Sequence, residues 1–286
     1  MTASPYLLVQ PDMLRSPVVF ASPHSGSAYP PEFLRRTRLD RVAIRSSEDA
    51  FVDRLIDCAP DFGTPLLAAT VPRAFIDLNR SRDELDPALI EGVCQGGHNP
   101  RVASGLGVIP RVVANGRAIY SGKLSRIEAE ARIARFWRPY HTALEGLLAQ
   151  ARQSFGQAIL VDVHSMPHEA VNGIARKAGR RPEIVLGDRF GAAAGAEIVD
   201  RIEAAFASCG LTVVRNAPFA GAYISQSYGR PARRQHSVQI EIDRALYMDE
   251  RRIEPNGSFD AFRAVMRSVL AEIAQIGQRE MPLAAE

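Results

Sequence analysis

Cysteine is scarce in this chain. Only Cys58, Cys94 and Cys209 occur among 286 residues, far apart and without a CxxC pair. That argues against a disulfide framework and a cysteine-rich zinc site, and it fits reduced, mostly buried thiols in a cytoplasmic protein. No apolar run approaches the ~20 residues that a membrane span needs. Residues 1–17 carry Pro5, Pro11 and Asp12 where a signal peptide would have an apolar core. Neither sign of charge dominates: the net charge is +3 and the pI is near 8.9. That balance gives no case for nucleic acid and leans slightly toward acidic small molecules. There is no GxSxG elbow, no P-loop and no GxGxxG, which disfavours serine hydrolase, NTPase and dinucleotide-binding readings.

What is present is an ordinary globular composition, 46% hydrophobic and 23% charged, with no repeat or low-complexity linker to divide it. One domain over residues 1–286 is expected. The periodicity predicts strands at 18–21, 65–71, 75–78, 159–163, 183–186, 211–215 and 237–242. It predicts helices over 48–57, 125–153, 192–208 and 259–276, the second kinked or divided at Pro139 and opened by Ser125 with Glu128 three residues on. Residues 85–118 read as an extended loop region. Strands alternating with helices imply an α/β fold with a mainly parallel or mixed central sheet flanked by helices on both faces.

Two histidines stand directly after buried-looking strands, His24 in Ser22-Pro23-His24-Ser25-Gly26 and His164 in Val163-His164-Ser165-Met166. Groups at the carboxyl ends of strands in such sheets gather at one site, so two imidazoles there could share a metal ion. The competing reading has each histidine capping its strand. A catalytic zinc needs a third protein ligand. Glu48-Asp49 is the nearest acidic pair, although Asp49 could equally cap the helix that follows.

Asp77 and Asn79 share a face by strand period, and Asp77 could orient an imidazole while Arg80 offers a fork that matches a carboxylate. In Gln239-Ile240-Glu241-Ile242 the isoleucines face one way, which leaves Glu241 to face a site or, alternatively, solvent and an arginine. A carboxylate beside activated water can act as a base. The Arg230–Arg234 cluster lacks interleaved aromatics and reads as a solvated loop or the rim of an anion site. His98 falls in the loop region and His141 on a helix; His168 and His236 are at most supporting residues.

Taken together, Pro23-His24-Ser25-Gly26, Asp49-Ala50-Phe51-Val52-Asp53, Asp77-Leu78-Asn79-Arg80, Arg138-Pro139-Tyr140-His141, Asp162-Val163-His164-Ser165-Met166, Gly221-Ala222-Tyr223 and Gln239-Ile240-Glu241-Ile242 resemble the N-formylglutamate amidohydrolase family. The resemblance runs from about residue 16 to 250. It implies a zinc carboxypeptidase-like, phosphorylase/hydrolase-like fold with a mixed eight-stranded-type sheet, and hydrolysis of N-formyl-L-glutamate to formate and glutamate late in histidine breakdown. It implies a zinc site at His24 and His164, with Asp77 behind His24; Asp49, preferred over Glu48, is expected as the third ligand of one Zn2+, and Asp162 behind the ligands. Asn79, Arg80 and Tyr223 would hold a small anionic N-acyl amino acid substrate, Glu241 would be the base, and Arg73 would help at the oxyanion. The carboxypeptidases carry a glutamate ligand three residues after the first histidine; Ser27 stands there in this chain, so the carboxylate has to come from elsewhere. A zinc deacylase of another N-acyl amino acid or small peptide, and a metal-free protein binding acidic metabolites, remain alternatives. The oligomeric state is left open.

Overall fold

The computed structural model describes residues 4–94, 99–174 and 180–278. The sheet has seven strands: β1 (Tyr6–Val9), β2 (Val18–Ser22), β3 (Leu66–Ala69), β4 (Ala158–Met166), β5 (Ile184–Gly187), β6 (Val213–Arg215) and β7 (Gln235–Asp243). Their order is β1-β3-β2-β4-β7-β5-β6. The central four, β3-β2-β4-β7, run parallel. β1 joins β3 antiparallel and β5 joins β7 antiparallel, which makes the sheet mixed. The resemblance implied an eight-stranded-type sheet; among the described residues it has seven strands.

Both faces are covered, which is why the central strands read as near-continuous apolar runs. Val18 and Phe20 of β2, with Ile159, Val161 and Val163 of β4, meet the helices Ala196–Ser208 and Phe259–Ala274. Val19 and Ala21, with Leu160, meet Phe136, Trp137, Leu144 and Leu148 on the other face. No helix among the described residues is long and apolar enough to cross a membrane.

Several expected elements are redrawn. Residues 75–78 form turns rather than a strand. The amides of Phe75 and Ile76 donate to the Pro72 carbonyl, and the Asp77 carboxylate accepts from the Asn79 amide at 2.8 Å. An aspartate that caps its own chain two residues on competes with a sheet ladder, and the apolar Phe75, Ile76 and Leu78 are buried without one.

The helix expected over 48–57 shrinks to Val52–Leu55, because Phe51 sits at φ 66° in the left-handed region. The 125–153 helix is a run in two parts, Arg126–Arg132 and Arg138–Phe155, joined by a π-type turn at Ile133–Trp137. Pro139 lies in the first turn of the second part. The 85–118 region contains short pieces, including the helix Pro100–Ala103 and a bridge between Val112 and Ala118. Residues 95–98, and with them His98, lie outside the described residues. The cysteines are less buried than expected: Cys94 is exposed and the other two are intermediate.

Candidate metal centre

β2 and β4 are parallel neighbours, so their carboxyl ends lie side by side, with His24 two residues beyond β2 and His164 inside the last turn of pleat in β4. Asp49 is brought in by its backbone, whose amide donates to the His24 carbonyl at 3.1 Å. The side chain does not cap the helix that follows, which has no side-chain cap. Asp49 Oδ2 instead lies 2.9 Å from His164 Nδ1 and 3.4 Å from His24 Nδ1, and the two Nδ1 atoms are 3.1 Å apart. Each of the three residues is 2% exposed. Glu48 turns the other way, accepting from the Tyr29 hydroxyl and from Arg45 at 3.1 Å. Burial raises the pKa of Glu48 against the pull of these partners.

The opposite ring nitrogens are already engaged. His24 Nε2 donates to Asp77 at 2.7 Å, and His164 Nε2 donates to Asp162 at 3.0 Å. A proton held there on each ring leaves both Nδ1 lone pairs and one carboxylate oxygen facing a common point, which is the arrangement of carboxylate–histidine–metal sites. A tetrahedral zinc with ligands at ~2.0–2.1 Å has ligand atoms about 3.3–3.4 Å apart. The observed triangle is within a few tenths of an ångström of that, so the donor set fits a zinc-sized cation. The electrostatics favour positive charge at the same spot. Burial would lower the pKa of His164, but the charges and hydrogen bonds of Asp162 and Asp49 carry it well above the usual histidine value. Burial raises the Asp49 pKa, yet its bonds to His164 and His24 hold the carboxyl well below the normal range.

The irregular turn after Pro72 delivers the next group. Asp77 also accepts from Arg73 Nε at 3.0 Å. The carboxyl of Asp77 is ionised well below its usual value, burial being outweighed by Arg73, His24 and Arg80. The Asn79 carboxamide oxygen accepts from the Ile224 amide at 2.8 Å. Arg80 is buried, yet it spends its bonds on the carbonyls of Leu106 (3.0 Å) and Asn79 (2.9 Å) and forms no ion pair among the described residues. Burial pulls its pKa down, and the neighbouring charges of Arg73 and Arg101 pull the same way against Asp77. The π-type turn presents Trp137 to this residue, its indole N–H donating to the Arg80 carbonyl at 2.9 Å.

β7 follows the alternation read from its residues. Val238, Ile240 and Ile242 join one core, and Gln239 and Glu241 face the other way. Glu241 pairs in register with His164 and accepts from Gln239 Nε2 at 2.8 Å. Burial, with the Asp49 charge, raises its pKa to about 7 against the pull of His164, Arg73 and Arg244.

These groups line a cavity of about 630 Å³, bounded also by Ser46, Ser47, Arg101, Val112, Met166 and Phe219. Tyr223 is not on its wall; the ring packs 6.0 Å from Trp137 and 5.6 Å from His141. Arg230, Arg233 and Arg234 are exposed on a turn away from the lining. His236 accepts from the Gly195 amide and His168 pairs with Asp243, so neither joins the donor triangle.

The sequence reading passed over Arg244 and Arg101. Arg244 follows β7 at the same end of the sheet as the histidines, and an arginine closing a strand beside Glu241 was the available signal.

The chain is similar to known proteins along most of its length. The profile of the family described as N-formylglutamate amidohydrolase matches residues 16–248. An N-formylglutamate deformylase of Pseudomonas aeruginosa is 29% identical over 270 residues, 92% of this chain and 95% of the relative. The crystal structure of an N-formylglutamate amidohydrolase from Ralstonia eutropha superposes with a TM-score of 0.87 at 36% identity, over 96% of this chain and 98% of that one. A gene product of Agrobacterium tumefaciens shares the fold at a TM-score of 0.63 and 17% identity, over 95% of this chain and 96% of its own. The protein belongs to the N-formylglutamate amidohydrolase family.

Proposed function

We propose that this chain is a single catalytic unit that hydrolyses N-formyl-L-glutamate to formate and L-glutamate, with one zinc ion held by His24, Asp49 and His164. The observation that carries this reading is the triangle of three buried lone-pair donors, each ring proton held on the far side by Asp77 or Asp162. The metal, when bound, supplies Lewis-acid polarisation of the formyl carbonyl and makes water acidic enough to attack near neutral pH.

The remaining work falls to the chain. Glu241, held by Gln239 with its pKa raised to about 7, takes a proton from the attacking water and returns it to the nitrogen as the C–N bond breaks. The water oxygen ends in formate and the transferred proton in the amine. Arg73, fixed on Asp77 and a quarter exposed, turns toward the developing oxyanion. Arg80 takes a substrate carboxylate, since its fork meets only backbone carbonyls, and Arg101 takes the second. Asn79 holds Arg80 and the Ile224 turn in place, and Tyr223 supports that turn from behind. Three unpaired cysteines suit a cytoplasmic setting.

One observation favours a second substrate: about 630 Å³ is in the range that receives drug-sized ligands, so a larger acyl group has room. The buried donor triangle speaks against a metal-free binding protein. The test is formate release from N-formyl-L-glutamate before chelation, after it, and after zinc is restored. Release that is lost and then recovered is expected. Zinc uptake without release would discard the substrate, and a panel of N-formyl and N-acetyl amino acids would then find its replacement. Neither uptake nor release would discard the enzyme.

A further inference from the structure

The two oxygens of the Asp49 carboxylate meet different partners. Oδ2 faces the two histidines, whereas Oδ1 accepts from Arg244 Nη2 at 3.0 Å. Arg244 is itself buried, 6% exposed. Its Nε donates to Ser165 Oγ at 3.2 Å and its Nη2 to the Ser165 carbonyl at 3.4 Å. Ser165 follows His164 in β4, and Arg244 follows β7. One guanidinium therefore ties the Asp49 loop to the ends of two strands, one of which carries the second histidine. The nearest other carboxylate, Glu250, lies 4.0 Å from Nη1. With its charge paired to Asp49, Arg244 is less suited to anchor a substrate carboxylate than Arg80, which bonds only carbonyls and forms no ion pair among the described residues.

We propose that Arg244 is a positioning residue for the metal centre. By occupying the outer oxygen of Asp49 it leaves Oδ2 as the single oxygen offered between His24 and His164. A carboxylate free to turn would offer both oxygens and fill coordination positions that water and the substrate carbonyl need. The inference rests on the metal reading given above. The need for this ion pair is not explained by stability, because a buried pair recovers little more than its desolvation cost.

The test uses the full chain stripped of metal, as wild type, Arg244→Lys and Arg244→Met. Each is titrated with zinc against a chromophoric chelator and with cobalt(II) while the visible spectrum is recorded, and each is melted to check folding. Kinetics with metal-saturated enzyme separate KM from kcat. Arg244→Met is expected to weaken zinc binding about 10–100-fold, to change the cobalt spectrum and to leave KM for N-formyl-L-glutamate unmoved. Arg244→Lys, a point charge without the fork, is expected to fall between. In an Asp49→Ala background, Arg244→Met should change zinc affinity no further.

Unchanged zinc affinity and spectrum in folded Arg244→Met would overturn the proposal. So would a raised KM with metal binding intact, which would make Arg244 a substrate anchor. If Arg244→Met does not fold, wild-type zinc affinity in Arg244→Lys overturns it. Wild type that takes up neither ion would overturn the metal reading itself, whereas wild-type uptake with undisturbed variants overturns only the role of Arg244.

Discussion

Glu241 and Asp49 are both buried carboxylates near His164, and their surroundings push them in opposite directions. Asp49 accepts from the Arg244 guanidinium and lies beside both imidazoles, and it stays ionised. Glu241 has one neutral partner, Gln239, and its pKa rises to about 7. A carboxyl poised near neutrality can both accept and return a proton, which is the requirement for a base that becomes an acid within one turnover. Glu241→Gln is therefore expected to cut kcat by about 10²–10⁴-fold while zinc content, read by metal analysis of the purified variant, stays stoichiometric. Full turnover in that variant would remove Glu241 from the chemistry. At this scale the sequence said much about β4 and β7, because a period of two separates Gln239 and Glu241 from the isoleucines without knowledge of the fold. It said nothing of Arg244, whose partner Asp49 is 195 residues away.

Among the elements, the Arg138–Phe155 helix clamps the Asp77 turn. His141 on that helix donates from Nε2 to the Leu78 carbonyl at 2.9 Å, and its Nδ1 lies 2.8 Å from the Tyr228 hydroxyl. Burial lowers its pKa from 6.5 to about 4 despite the bond to Leu78, so the folded protein holds it neutral. The unfolded chain takes up a proton there as pH falls below 6.5 and the folded chain does not until about 4. Stability is thus complete above pH 6.5 and declines through that window, by about 2 kcal/mol between pH 7 and 5. Denaturant unfolding at both pH values should show this loss in wild type and a smaller one in His141→Gln. An identical loss in the variant would assign the window to other groups.

The elements also show where local pattern misleads. Phe75, Ile76 and Leu78 are apolar and buried as a strand's residues would be, but Asp77 caps the chain and bends it. The spacing of Phe51, Val52, Leu55 and Ile56 suggested a helix over 48–57, and Phe51 at φ 66° delays it until Val52. Both departures lie where the backbone must deliver a side chain to the cavity.

For the molecule as a whole, net charge is mild, yet the cavity collects Arg73, Arg80, Arg101 and Arg244 on its lining. Arg73 and Arg244 are paired with Asp77 and Asp49, which leaves the field of Arg80 and Arg101 for the substrate. A dianion should feel both. Arg101→Ala is expected to lower kcat/KM for N-formyl-L-glutamate roughly 10-fold, a modest value for an exposed cation. The loss should be smaller for N-formyl-L-alanine, which lacks the second carboxylate. Added salt should weaken wild type more than the variant, and steady-state rates at two ionic strengths would check both statements. Equal losses for the two substrates would deny Arg101 a part in selection.

The parallel order β3-β2-β4-β7 has a consequence for how the protein comes into being. His24 and His164 are 140 residues apart in the chain, and β7 begins 71 positions after His164 at Gln235. During synthesis β2 leaves the ribosome long before its central neighbour β4 exists, and β4 waits in turn for β7. Pairings of such separation form late, because loop closure must precede their reward. A nascent chain thus carries His24 and the Asp49 carboxylate well before His164 exists to complete the donor triangle. Metal uptake by the proposed His24-Asp49-His164 centre would then report the closing of the sheet.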